Sequence, residues 1–84
     1  MIITITFTDS KDVNNKITGF TANFSATEDS YTSTSSVSVT LSAPVDSLST
    51  DERIKELDMN TVIKSLKDDL VVKGATITKM TISI

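Results

Sequence analysis

Residues 30–43, SYTSTSSVSVTLSA, decide how much of a β-sheet this chain can bury. From Val37 to Leu41 every second residue is apolar, which is the pattern of a strand with one buried face. From Thr32 to Ser36, hydroxyl side chains occupy both faces. The strand is therefore predicted to lose its apolar face partway along.

Period-2 alternation predicts three other strands, at about residues 3–8, 17–26 and 75–84. The opening stretch is the third strand in chain order. It begins at Tyr31 and ends at Leu41 or Ala43, before Pro44. Ile17 is out of phase with Phe20, so a bulge at Thr18-Gly19 is expected to return Ile17 to the core.

The segment between the third and fourth strands is predicted to be helical. Ser49-Thr50-Asp51-Glu52 fits a capping box. The apolar residues after it fall on two different faces, which favours a break near Asp58. A short helix over 50–57 and a longer one over 60–72 are expected, with Asp58 or Asn60 as the second N-cap and Gly74 as the C-cap. A single kinked helix is the alternative.

This order predicts one α+β domain over residues 1–84. Its core would be a mainly antiparallel four-stranded sheet, in the order β-β-β-α-β, with one broken or kinked helix packed on one face.

The amino-acid composition excludes several kinds of catalytic and metal-binding site. The chain has no His and no Cys, which removes imidazole catalysis, thiolate nucleophiles and Cys/His zinc sites. The turn residues Asp9, Asp12, Asn14 and Asn15 lack the spacing of a calcium loop, so a solvated turn is expected. We therefore predict a protein that is not an enzyme and that has no cofactor, metal or small-molecule substrate.

The charge pattern and the N-terminal segment exclude further partners. The net charge is −3 and the basic residues are dispersed, so nucleic-acid binding is not expected. No segment has the length of a membrane span, and the N-terminal residues alternate instead of resembling a signal peptide. A cytoplasmic location, or a virion assembled in the cytoplasm, is therefore expected.

Hydroxyl residues dominate the outward strand positions, because Ser and Thr fill 26 of the 84 positions. Rows of Thr could order water as ice-binding surfaces do, or bind a polysaccharide. The simpler interpretation is a solvated sheet face, since Thr favours strands and tolerates water.

The second hairpin offers the candidate interaction site. Thr27–Ser30 is predicted as a four-residue turn that places Phe24 opposite Ser33. Residues 22–35 would then extend past the core as a β-hairpin arm, with exposed aromatic anchors for another molecule. The predicted interaction residues are Phe24, Glu28, Asp29, Tyr31, Ser33 and Ser35. Two alternatives remain open: the arm folds over its own helix, or it projects as a mobile hairpin.

These features favour protein–protein contact through the arm and an unpaired edge strand. The expected partner is a protein, either further copies of this chain in a homo-oligomer or a larger assembly. Small size, abundant Ser and Thr and the absence of Cys are typical of a bacteriophage or prophage virion component. The alternative is a small soluble inhibitor or regulator that docks onto one host protein.

Overall fold

Three long strands form two consecutive hairpins in the computed structural model, which describes all 84 residues. Strand β1 (Ile2–Lys11) pairs antiparallel with β2 (Ile17–Glu28), which pairs antiparallel with β3 (Tyr31–Val45). Helices α1 (Thr50–Lys55) and α2 (Met59–Lys73) follow. The predicted α+β class and the element order are confirmed.

The fourth strand is much shorter than predicted. β4 covers Thr81–Ser83 and pairs parallel with β1, so the sheet is mixed and its order is β3-β2-β1-β4. The prediction of a strand from residue 75 is wrong. Ala75 is buried and Ile77 is half-buried in the core, because this segment contributes side chains to the core instead of pairing its backbone in the sheet.

The β2–β3 hairpin has a two-residue turn, not the predicted four-residue turn. Asp29 lies in the left-handed region at φ 53°, which lets the chain reverse between Glu28 and Tyr31. Phe24 therefore pairs with Ser35, not with Ser33. Because the register moved by two residues, each side chain keeps its predicted face.

The predicted irregularity near Gly19 is confirmed. In the pairing of β2 with β3, the extra residues lie on β3. Ile17 pairs with Val45 while Gly19 pairs with Thr40, so four residues of β3 lie opposite one residue of β2. Ile17 is buried, as predicted. A Cβ atom at Gly19 would lie 2.3 Å from the Val39 carbonyl oxygen, so this close approach of two backbones requires glycine. Pro44 lies inside β3, whose last residue is Val45.

The helix ends follow the predicted caps. Ser49 and Glu52 form the capping box of α1. The Asp58 side chain accepts from the Thr61 amide and caps α2, and Gly74 ends α2 at φ 115°. The helical segment is therefore two helices, and the single kinked helix is excluded.

One face of the sheet is buried and the other is open. The core residues of β1 and β2 alternate, and Leu66 and Leu70 of α2 cover them. The molecule is elongated, with principal extents of 47 × 18 × 17 Å. No helix has both the length and the apolarity needed to cross a membrane.

Candidate interaction surfaces

The β2–β3 hairpin is covered by the chain's own helix α2. Phe24 is 2% exposed and Ser33 is 6% exposed. Leu66 and Leu70 of α2 are fully buried in the same cluster as Phe24. The prediction that residues 22–35 extend past the core as a free arm is wrong, and the alternative in which the hairpin folds over its own helix is the one the structure shows.

Small side chains explain this packing. Ala22, Ala26 and Ser33 face the helix and are nearly inaccessible to solvent, because they leave room for α2 to lie close to the sheet. Lys73 donates to the Thr32 carbonyl at 2.7 Å and fixes the end of the helix to the hairpin. The positions predicted to lie past the end of the core are therefore a close helix–sheet contact.

The other predicted interaction residues are mostly engaged within the chain. Tyr31 is half-buried, and its hydroxyl lies 3.1 Å from where a Cβ atom on Gly74 would be. Glu28 accepts from the Met1 ammonium group at 3.2 Å, and Ser35 is half-buried. Asp29 alone is exposed. These residues lie together at one end of the β2–β3 hairpin. Because only Asp29 is exposed, they do not form an exposed contact surface.

Two aspartates near the end of α2 form ion pairs with lysines of the same helix. Lys64 contacts Asp68 at 2.6 Å and Lys73 contacts Asp69 at 2.9 Å, each an i,i+4 pair on α2. The Ser33 hydroxyl, and then Lys73, lower the pKa of Asp69 below its ordinary value. Both carboxylates near the end of α2 thus have partners within the chain.

An ion pair that sequence reasoning missed joins α1 to β1. Arg53 binds both carboxylate oxygens of Asp9, and its guanidinium lies 5.4 Å and 5.6 Å from the ring centroids of Phe7 and Phe20. The Arg53 hydrogen bond lowers the pKa of Asp9, and Asp9 raises that of Arg53. Because the pKa of Asp9 is lower in the folded chain, its contribution to stability is present above the unfolded pKa. That contribution is lost as the pH falls through the folded value. Asp9 therefore anchors α1 to the sheet.

The outer edge of β3 is the longest unpaired backbone in the molecule. β3 pairs with β2 on one side and has no strand on the other. Its 15 residues include no charged side chain, and its one proline lies near its end. Soluble proteins usually protect such edges with charge, proline or a covering segment. Apart from the Lys73 contact at Thr32, β3 has no such charged protection.

The opposite edge is stepped and charged. β4 pairs only with Ile2–Thr4, so the rest of β1 has no strand on its outer side. Asp9 and Lys11 lie in this exposed part of β1, and Lys79 lies just before β4. These charges are the kind of feature that opposes strand addition.

The open face of the sheet is neutral as well as polar. Its positions on the first three strands contain no charged residue between Ile2 and Ser10, Thr21 and Thr27, or Thr32 and Thr40. Thr21 and Ser38 share a hydrogen bond at 3.1 Å, and Ser36 donates to Asn23 at 3.0 Å. Cross-strand hydroxyl contacts thus continue to β3, at the edge of the sheet.

Neither a metal-ligand cluster nor a match to a known protein is found for this chain. No group of three or more His, Cys, Asp or Glu side chains is placed to hold a metal ion. No family model matches the sequence, and neither a curated protein nor a solved structure is significantly similar to it.

Proposed function

We propose that this chain is a non-enzymatic structural subunit that assembles with further copies of itself, edge to edge, through β3. The observation that carries this proposal is the uncharged, unpaired edge of a 15-residue strand. An edge of this kind supports addition of another strand, because the outward amide and carbonyl groups of β3 lack a protein partner there, except the Thr32 carbonyl that accepts from Lys73.

A second copy is the partner that best fits this edge. A neutral strand pairs with itself without like-charge repulsion, and antiparallel pairing gives the self-complementary contact of a two-fold dimer. With Ser38 at the centre, Val37 of one copy lies opposite Val39 of the other on the helix side. The hydroxyl side chains then form one continuous neutral face across eight strands.

The composition supports a setting in a larger assembly. The absence of His and Cys favours a role without catalysis, and small size with abundant Ser and Thr is typical of bacteriophage virion components. We propose a cytoplasmic protein, or a subunit of a particle assembled in the cytoplasm. The second candidate is a small inhibitor that docks onto one host protein, and it requires a chain that stays monomeric.

Self-assembly is tested by measuring molar mass with light scattering after size exclusion. We expect the mass to approach two chains at concentrations up to about 1 mM, where ~4 kcal/mol of association free energy suffices to populate a dimer. The solution contains about 0.5 M NaCl, which screens exposed charges and isolates the neutral edge. Ser38→Lys places like charges beside each other in the dimer, and in about 0.1 M NaCl, where these charges are screened less, it is expected to weaken association by about tenfold or more relative to the wild type.

The matched control is Thr27→Lys. Thr27 is exposed on the same open face but lies on the central strand β2, so the added charge does not lie at the edge. This variant should associate like the wild type. A wild-type chain of one-chain mass throughout, or equal weakening by both variants, contradicts the proposal.

A further inference from the structure

An apolar groove with a basic rim lies between α2 and the segment before β4. Its volume is about 330 Å³, and four of its seven lining residues are hydrophobic. The lining residues are Met1, Ile63, Lys67, Ile77, Thr78, Lys79 and Met80. Lys67 and Lys79 form no ion pair, and no acidic residue lines the groove. Its electrostatic character is therefore positive.

The opposite end of the molecule carries an apolar loop with an acidic border. Residues 41–44 are the part of β3 that has no partner on β2, so they bulge out of the sheet. Ala43 and Pro44 are exposed there. Glu52 and Glu56 of the α1 region line the same cleft as residues 41–43 of the loop, and neither glutamate forms an ion pair.

These two surfaces lie at opposite ends of the strands. The groove adjoins the end where Ile2 pairs with Thr81, and the loop follows Thr40, which is level with Gly19 and Ser10. Ser10 lies eight residues after Ile2 on β1, a distance of about 27 Å at about 3.4 Å per residue. The two surfaces can therefore meet only between different molecules.

We infer that the acidic-bordered loop of one copy docks in the basic-rimmed groove of the next copy. This inference rests on the proposed function, because it gives the self-assembling subunit a second contact. Opposite charges select this pairing over groove with groove or loop with loop. Because the two surfaces differ, the contact is heterologous and joins successive copies head to tail along the strand direction. The part of the β3 edge around Ser38 lies outside this contact and stays free for its own pairing.

Salt distinguishes this contact from the β3 edge. The charged contact is weakened by screening, whereas the neutral edge is not. We expect the average mass in about 20 mM NaCl to exceed the mass in about 0.5 M NaCl at the same protein concentration. The double variant Lys67→Glu, Lys79→Glu should lose this excess, and so should Glu56→Lys. Lysine at position 56 suits the end of α1, since cations are favoured at helix C-termini.

Exchanging the charges between the two surfaces is the decisive experiment. When the Lys67→Glu, Lys79→Glu variant is mixed with Glu56→Lys, each altered surface meets a surface of opposite charge on the other variant, and the excess mass should return. Circular dichroism during heating confirms that both variants fold. A wild-type mass that does not depend on salt, or folded variants that associate like the wild type, overturns the inference. A failure of the mixture to recover the excess mass also overturns it. Each of these results leaves the high-salt dimer test of the β3 edge unaffected.

Discussion

Replacing Leu70 by alanine is expected to destabilise the fold by about 2–5 kcal/mol, the range for truncating a buried leucine. Leu70 has no solvent exposure and lies in the cluster that covers the β2–β3 hairpin. Its removal opens a cavity between α2 and the small side chains of the sheet. For a domain of 84 residues the total stability is expected to be about 4–13 kcal/mol, so this loss is a large share.

The neighbouring Val72 provides a matched control, because it lies on the same helix and is 85% exposed. Val72→Ala should change the free energy of unfolding by no more than about 0.5 kcal/mol. Urea denaturation followed by circular dichroism measures both variants. Equal, small effects would show that the end of α2 does not cover the hairpin.

The second large effect is expected for Gly19→Ala, at about 3 kcal/mol, the upper part of the usual range for overpacking. The new Cβ atom would lie 2.3 Å from the Val39 carbonyl oxygen, and backbone cannot move aside as a flexible side-chain tip does. The hairpin must therefore separate locally or shift its register. The bulge that returns Ile17 to the core would be disturbed at the same time.

Thr18→Ala is the control for this position. The Thr18 hydroxyl donates to the Ser10 carbonyl at 3.3 Å in an exposed place, so its loss should cost less than about 1 kcal/mol. Chemical denaturation again gives the comparison. A Gly19→Ala protein as stable as Thr18→Ala would mean that the two backbones do not approach as closely as described.

Local signals were sufficient to predict most elements of the fold. The capping box at Ser49 and Glu52, the Asp58 cap and the Gly74 end each depend on residues within a few positions of one another. The same is true of strand periodicity, which placed the side chains of the first three strands on their correct faces. The predicted length of the β2–β3 turn was wrong because it depends on the left-handed conformation of Asp29. This conformation is uncommon for a residue other than glycine, and the sequence does not reveal it.

Packing between distant segments was the part that the sequence did not reveal. Small residues such as Ala26 and Ser33 are compatible with the end of a core or with a helix lying close above them. Only the position of α2 decides between these, and it makes the predicted arm a buried layer. The Asp9–Arg53 pair joins residues 44 positions apart, so no spacing rule could find it.

The sequence predicted that the sheet would have an unprotected edge, but not which strand would form that edge. Alternating strands without charge indicated that some edge would invite strand addition. The sheet order decides that this edge is β3, because β4 contributes only three residues on the other side. The candidate contact therefore moves from the side chains of Phe24 and Tyr31 to the outward backbone of β3.

Backbone hydrogen exchange at two protein concentrations tests the edge-to-edge account most directly. In about 0.5 M NaCl, NMR would follow the amides of residues 22–40 at about 50 μM and about 1 mM protein. We predict that amides paired between β2 and β3 are protected at both concentrations, because α2 covers that hairpin. The outward amides of β3 should exchange quickly in the dilute sample and become protected in the concentrated one. Outward β3 amides that exchange equally fast at both concentrations would contradict the account.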